Sequence, residues 1–364
     1  MKIKAAVVRQ KSGPFVMEEI ELDEPRDDEV IVRIVASGLC HTDLVARDQY
    51  LPIPLPGVFG HEGAGVVEKI GSRVKKVAPG DHVVASYLSC GFCSSCLSGQ
   101  PAYCLNFFPC NFSGARIDGS VTMSANGQTV YGSLFGQSSF ASHSLMTERN
   151  LVRVSKDLPL EKLAPLGCGV HTGAGGVMNS LKVRAGSSIA VFGAGSVGLS
   201  AIMAARVVGS TTIVAVDVKP ERLKTAKELG ATHLVDSGQT NPVEEVKRIT
   251  GNGANYALEC TGIPDVLSQA LDCLAMTGVC GLIGAAPFGS RVSLDCQNIL
   301  NGRTVRGVVQ GDSIPELFIP QLIELYTQGR FPFDKMLKFY PLDEINKAAE
   351  DSERGKTIKA VIRP

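Results

Sequence analysis

The hydrophobic pattern of the chain changes near residue 170. Before that point, short apolar runs are broken by Gly and Pro: Ala5–Val8, Val30–Val35, Gly65–Ile70 and His82–Ala85. Such runs predict strands of an irregular, mostly β region. After it, apolar strands alternate with helical patterns. The predicted strands are Ser188–Phe192, Thr212–Asp217, His233–Asp236, Tyr256–Glu259, Val279–Ile283 and Thr304–Val309. The predicted helices are Val197–Val208, Pro220–Leu229, Pro242–Thr250 and Pro264–Leu274. Pro220 suits a first helical turn and Gly230 a helix end. Strands joined by short helical crossovers predict a parallel, doubly wound sheet, so the fold class is α/β. The tail from Gly311 carries two helical patterns and a last β run, Thr357–Val361.

Composition narrows the function classes. A length of 364 residues suggests two domains at roughly 150 residues each. Lys plus Arg is 36 and Asp plus Glu is 36, so no bulk charge draws the chain to nucleic acid or an anionic membrane. With 44% hydrophobic and 20% charged residues, global disorder is excluded. The uncharged stretch Ala185–Ala205 has the length of a membrane span, but its four Gly and four Ser fit a strand, a turn and a helix. The first apolar run ends at Arg9, too short for a signal peptide, which points to the cytoplasm. Thiols stay reduced there, so the eleven Cys suggest metal ligands and core residues, not disulfides.

Gly193-Ala194-Gly195-Ser196-Val197-Gly198 follows a predicted strand and opens a helix. In that context G-x-G-x-x-G is a dinucleotide-binding loop. The helix N-terminus offers N–H groups to a pyrophosphate. Asp217 ends the next strand, close to the offset of roughly 20 residues at which an acidic side chain meets the ribose. Its carboxylate suits ribose hydroxyls and repels a 2′-phosphate, which favours NAD over NADP. Lys219 and Arg222 stand close enough in sequence to soften that preference.

Cys90, Cys93, Cys96 and Cys104 read C-x2-C-x2-C-x7-C. Four thiolates at that spacing suit a closed tetrahedral zinc site, and an iron–sulfur cluster is the competing reading. A second set is dispersed: Cys40 in GLCHTD, His61 and Glu62 in GHEGAG, and Cys168 in GCGVHTG. A catalytic zinc needs three protein ligands and one open place. Spacing so wide does not establish that Cys40, His61 and Cys168 converge.

The segment GHEGAGVVEKIGSRVKKVAPGDHVV resembles the signature of the zinc-containing medium-chain alcohol dehydrogenases. GLCHTD, the four-Cys lobe, GCGVHTGAG and VFGAGSVG follow in that family's order. Within the family the chain is most similar to bacterial aryl-alcohol (benzyl alcohol) dehydrogenases. The resemblance implies a GroES-like catalytic domain over 1–169, with a structural zinc lobe at 90–104, completed by 310–364. A Rossmann domain over 170–309 would bind NAD. The resemblance implies two zinc ions per chain: Cys40, His61 and Cys168 on the catalytic one, Cys90, Cys93, Cys96 and Cys104 on the structural one. It makes Thr42 the acceptor of the alcohol proton, Asp43 the carboxylate that orients His61, and Glu62 a carboxylate near the metal. Thr172 and Val197 would hold the nicotinamide, and His41 and Lys359 would lie beside the pyrophosphate.

The chain departs from the family twice. Val45 occupies the slot of a proton-relay His, and His41 stands where Arg is common. Cofactor grip is therefore expected to weaken as pH rises through the ordinary imidazole range. Leu51, Leu134 and Phe135 match pocket positions, with Tyr87 a further candidate. An apolar slot over zinc suits benzyl, cinnamyl or terpenoid primary alcohols and their aldehydes. Phe107, Phe108 and Phe112 either line that slot or pack the lobe. Phe108 takes the offset of an Arg used by glutathione-dependent formaldehyde dehydrogenases, which speaks against that activity. A homodimer or homotetramer is expected, with Ser290–Leu294 as a candidate edge strand.

Overall fold

The structure is a computed structural model that describes residues 1–364. The chain forms two compact units. The first comprises Met1–Cys168, Ile314–Pro320 and Asp334–Pro364; the second comprises Gly169–Ser313 and Gln321–Phe333. The return to the first unit thus comes at Ile314, where the sequence suggests 310, and 321–333 packs with the second unit.

The first unit holds two sheets. The larger runs Leu151–Val154, His82–Ala85, Gly63–Ile70, Glu29–Gly38, Lys359–Arg363, Leu337–Pro341, with His143–Thr147 also paired to Glu29–Gly38. Its central strand, Glu29–Gly38, is apolar almost throughout because both its faces are covered. Val30, Val32 and Ile34 point into one cluster with Val67, Val83 and Leu151. Ile31 points into another with Ile3, Ala5, Val7 and Ile20. Each such buried side chain contributes about 1.5–3 kcal/mol. The final strand pairs antiparallel to the end of this one, Val361 opposite Gly38 and Ile362 opposite Ser37. On the other side Gly63 lies opposite Ser37. The chain's last residues and the GHEG turn therefore flank the same strand end.

In the second unit, six parallel strands stand in the order His233–Asp236, Thr212–Asp217, Ser188–Phe192, Ala254–Glu259, Leu274–Leu282, Thr304–Gly307. This is the doubly wound order in which the chain reverses between the first and fourth strands. Three strands and the helices Pro220–Leu229 and Pro242–Thr250 coincide with their predicted spans. The predicted helix to Leu274 instead ends at Asp272, since Leu274 already begins the next strand. Ser290–Leu294 forms no strand: Val292 and Leu294 pack on the core of this unit, and the sheet edge is Thr304–Gly307. No helix is long and apolar enough to cross a membrane.

Candidate functional site

The dispersed set converges. One ligand atom each from Cys40, His61, Glu62 and Cys168 lies within 4.8 Å of the others, and all but Cys40 are buried. Local structure aims each side chain. Cys40 is the extended cap of the helix His41–Arg47, and Asp43, three residues on, accepts the Cys40 N–H at 2.9 Å. That capping-box geometry fixes Cys40, Thr42 and Asp43 together. Thr42 Oγ1 lies 3.8 Å from Cys40 Sγ. The other Asp43 oxygen accepts from Gly60 N at 3.0 Å and pairs with His61 Nδ1 at 2.8 Å. His61 Nε2, buried and without a hydrogen-bond partner, is left as the free ligand atom. A carboxylate on the far nitrogen is the usual support of a metal-bound imidazole.

Electrostatics fit a cation at this place. Burial disfavours a charged His61, yet the Asp43 charge and hydrogen bond, with help from Cys40, hold it up at about 10. The hydrogen bond from Cys168 pushes the Cys40 thiol well below its ordinary range, and Cys168 goes well above. The metal-free set thus concentrates negative charge and holds a proton where a metal would sit. Its donors, two sulfurs and a nitrogen, are those of a catalytic zinc.

The lobe set also closes. Sγ atoms of Cys90, Cys93, Cys96 and Cys104 all lie within 4.8 Å of one another. The Cys93–Cys104 separation is 3.9 Å, too long for a disulfide. It is close to the edge of about 3.8 Å expected for a tetrahedron with zinc–sulfur bonds of about 2.3 Å. The four sulfurs are too close together to enclose the several irons of a cluster. Backbone N–H groups of Cys90 and Asn106 point at Cys104 Sγ, and that of Leu105 at Cys93 Sγ. Burial opposes ionisation of Cys90, but hydrogen bonds from Asn106, Phe92 and Cys93 bring it down to about 6.

The glycine loop has the expected shape. Gly193 has φ +93°, and a Cβ there would press on Thr261. A Cβ at Gly195 would meet nothing within 4 Å, which leaves the approach open to a pyrophosphate. A Cβ at Gly198 would overlap the Gly193 carbonyl, so this glycine closes the loop on its helix. Asp217 is nearly buried, and its two oxygens accept from Ala194 N at 2.7 Å and Lys219 N at 2.9 Å. It therefore braces the loop. Arg222 lies 3.9 Å from it. Thr172 is buried with Oγ1 unpartnered, on the helix Gly169–Gly175. Gly173 of that helix abuts Val197. His41 is exposed.

Three of the candidate residues are buried. Lys359, assigned to the pyrophosphate, is buried with Nζ 2.8 Å from both Glu62 oxygens and 3.3 Å from Leu39 O. Burial pulls its ammonium down, but the Glu62 and Cys40 charges outweigh it and hold it above its ordinary range. Leu134 is fully enclosed and Leu51 nearly so. Phe135 meets the metal set directly: its ring stacks on His61 at 4.6 Å and 29°. Phe135 has φ +54°, a strained conformation for a non-glycine residue, which lays the ring there. Phe107 and Phe112 pack edge-on against Phe135, and Tyr87 against Phe107, while Phe108 is half exposed. Two surface cavities of about 450 and 290 Å³ lie in the first unit, and neither is lined by the dispersed set.

Gln137 joins the site unannounced. Its Nε2 donates to His61 O and its Oε1 accepts from Gly63 N, both at 2.9 Å, so it clamps the GHEG turn. No local sequence motif marks it.

Comparison with known proteins agrees with this geometry. An alcohol dehydrogenase GroES-like domain model matches residues 26–156, and a zinc-binding dehydrogenase model matches 196–328. A geraniol dehydrogenase of Castellaniella defragrans is 43% identical over 362 residues, covering 99% of this chain and 97% of that protein. The crystal structure of an alcohol dehydrogenase zinc-binding domain protein from Burkholderia ambifaria is 54% identical, covers 100% of this chain and 99% of that one, and superposes with a TM-score of 0.98. That of benzyl alcohol dehydrogenase from Acinetobacter calcoaceticus is 48% identical, with the same coverage and a TM-score of 0.97. With both units matched in order and the metal set assembled, the chain belongs to the zinc-binding alcohol dehydrogenase family.

Proposed function

We propose that the chain oxidises a primary alcohol whose carbinol carbon adjoins an aromatic ring or a double bond, giving the aldehyde and passing hydride reversibly to NAD+. The observation that carries this reading is the Cys40–His61–Cys168 set with the Phe135 ring stacked on its histidine. Zinc held there would supply Lewis-acid lowering of the alcohol pKa, and a second ion would close the Cys lobe. The chain's own residues do the rest. Thr42, beside Cys40, takes the alcohol proton. With Val45 at the relay position, that proton leaves without a histidine relay. Asp43 holds the His61 ring so that Nε2 faces the other ligands. Phe135, with Phe107 and Phe112 behind it, supplies an apolar aromatic wall. The glycine loop binds the pyrophosphate and Asp217 the adenosine ribose, which favours NAD; the hydride chemistry belongs to the cofactor.

A terpenoid alcohol is the second reading, favoured by the geraniol dehydrogenase relative. Turnover of ethanol, benzyl alcohol, cinnamyl alcohol, geraniol and a secondary alcohol, followed as NADH formation with zinc counted per chain, tests both. Benzyl and cinnamyl turnover with two zincs supports the aryl reading. Dominance of geraniol supports the terpenoid one, and inert alcohols with both ions bound defeat the substrate class. We further propose a homodimer or homotetramer, checked by light scattering.

A further inference from the structure

A buried lysine belongs to the catalytic metal set. Glu62 has two possible partners: its carboxylate lies within 4.8 Å of the other three ligand atoms, yet both its oxygens are held at 2.8 Å by Lys359 Nζ. Both side chains are almost wholly buried, so water offers neither an alternative.

The carboxylate sits in a made slot. A Cβ at Gly38 would overlap Glu62 Oε2 and come within 3.0 Å of its Cδ. The slot is stiff. Gly38 N donates to Glu62 O at 3.0 Å, Leu39 N donates to Ala360 O at 2.9 Å, and Val361 pairs with Gly38. Charge points the same way. Two thiolates and the Glu62 and Asp43 carboxylates exceed a divalent ion by two negative charges, and the Lys359 ammonium offsets one of them. Lys359 is the cation that holds this buried carboxylate, and losing it would be costly, with the metal close by to take its place.

We propose that Lys359 is a positioning residue that keeps Glu62 off the metal, with Gly38 providing the slot, so that the fourth coordination place stays open to the alcohol. This rests on the zinc reading above.

The test uses the full chain loaded with Co²⁺, whose visible spectrum reports coordination, and imidazole as a probe of the open place. The closed lobe should not respond to imidazole. Imidazole should shift the wild-type spectrum. In Lys359→Met the spectrum should differ before imidazole is added, and imidazole affinity should fall by about tenfold to a hundredfold, the range for loss of an outer partner. Lys359→Met/Glu62→Gln should restore the affinity to near wild type, which a merely structural role for Lys359 would not do. Wild-type affinity in Lys359→Met, or no recovery in the double variant, overturns the proposal. Should Lys359→Met not fold, Gly38→Ala drives Glu62 from its slot. Imidazole binding must then weaken, and must recover in Gly38→Ala/Glu62→Ala, or the proposal fails. A wild-type chain that takes up only the lobe Co²⁺ would remove the zinc reading and this proposal together.

Discussion

The lobe set and the dispersed set are both cysteine-rich, and they are built in opposite ways. The lobe's four ligands share one short segment, Cys90 to Cys104, are mostly half-exposed, and are steadied by backbone N–H groups of their own loop. The dispersed ligands are scattered from Cys40 through His61 to Cys168 and are mostly buried. They are steadied by side chains from other elements: Asp43, Lys359, Gln137 and the Phe135 ring. A local site can organise its own loop around an ion. A dispersed site is organised by the fold, and its ion is free to do chemistry.

Four measurements would break or sharpen that contrast, and a fifth probes a smaller effect. The largest effect is expected from Cys40→Ala. Turnover should fall to background and metal content from two ions to one, with the melting temperature nearly unchanged. Metal analysis beside a thermal scan checks this, and a collapse of the fold would mean that the dispersed site also holds the structure up. Next, Cys93→Ser should release the lobe ion and lower the melting temperature sharply. Binding energy at a structural zinc site is folding energy, on the order of 10 kcal/mol in zinc-finger peptides. An unchanged melting temperature would erase the contrast.

Asp43→Asn should weaken metal binding at the dispersed site by about 10- to 100-fold, as for other outer-shell partners. Chelator competition would measure it, with the lobe ion as the internal reference. The fourth measurement is pH. His61, held at about 10 in the metal-free chain, must lose its proton to bind metal. Metal affinity of the dispersed set should therefore keep rising as pH rises toward about 10. Chelator titrations across pH, with the lobe titrated alongside, check this, and an affinity of the dispersed set that stays flat toward about 10 would contradict it. The sign also fixes stability. A raised histidine stabilises the metal-free fold fully below its ordinary 6.5 and loses that contribution as pH rises through about 10. The smallest effect is Gln137→Leu, which strands two backbone groups and should cost about 1–3 kcal/mol of stability, read by denaturant unfolding.

The legibility of each feature followed how far apart its parts lie in the chain. Ser188–Phe192 and Thr212–Asp217 emerged at their observed spans because a buried parallel strand is a continuous apolar run between turn residues. Ser290–Leu294 misled because alternating apolar residues also arise where a segment merely lays Val292 and Leu294 on a core. The Lys359–Glu62 contact was illegible for a similar reason. Nothing near it in sequence says that its strand ends beside Gly38, with Glu62 across the gap. Phe135 matched a pocket position, but only its positive φ lays the ring on His61.

The sequence by itself determined the two-part α/β organisation, the four-Cys lobe, the glycine loop with Asp217, and the chemistry of the scattered ligands. Short-range spacing and side-chain type carry the first three, and family resemblance carries the last. Tertiary structure alone decided that Cys40, His61 and Cys168 meet, that Lys359 takes Glu62, and that an aromatic ring lies against the metal set. Those contacts join residues up to 297 positions apart. They form only because strand register and close packing bring their backbones together, and register is a property of the folded sheets and not of any one segment.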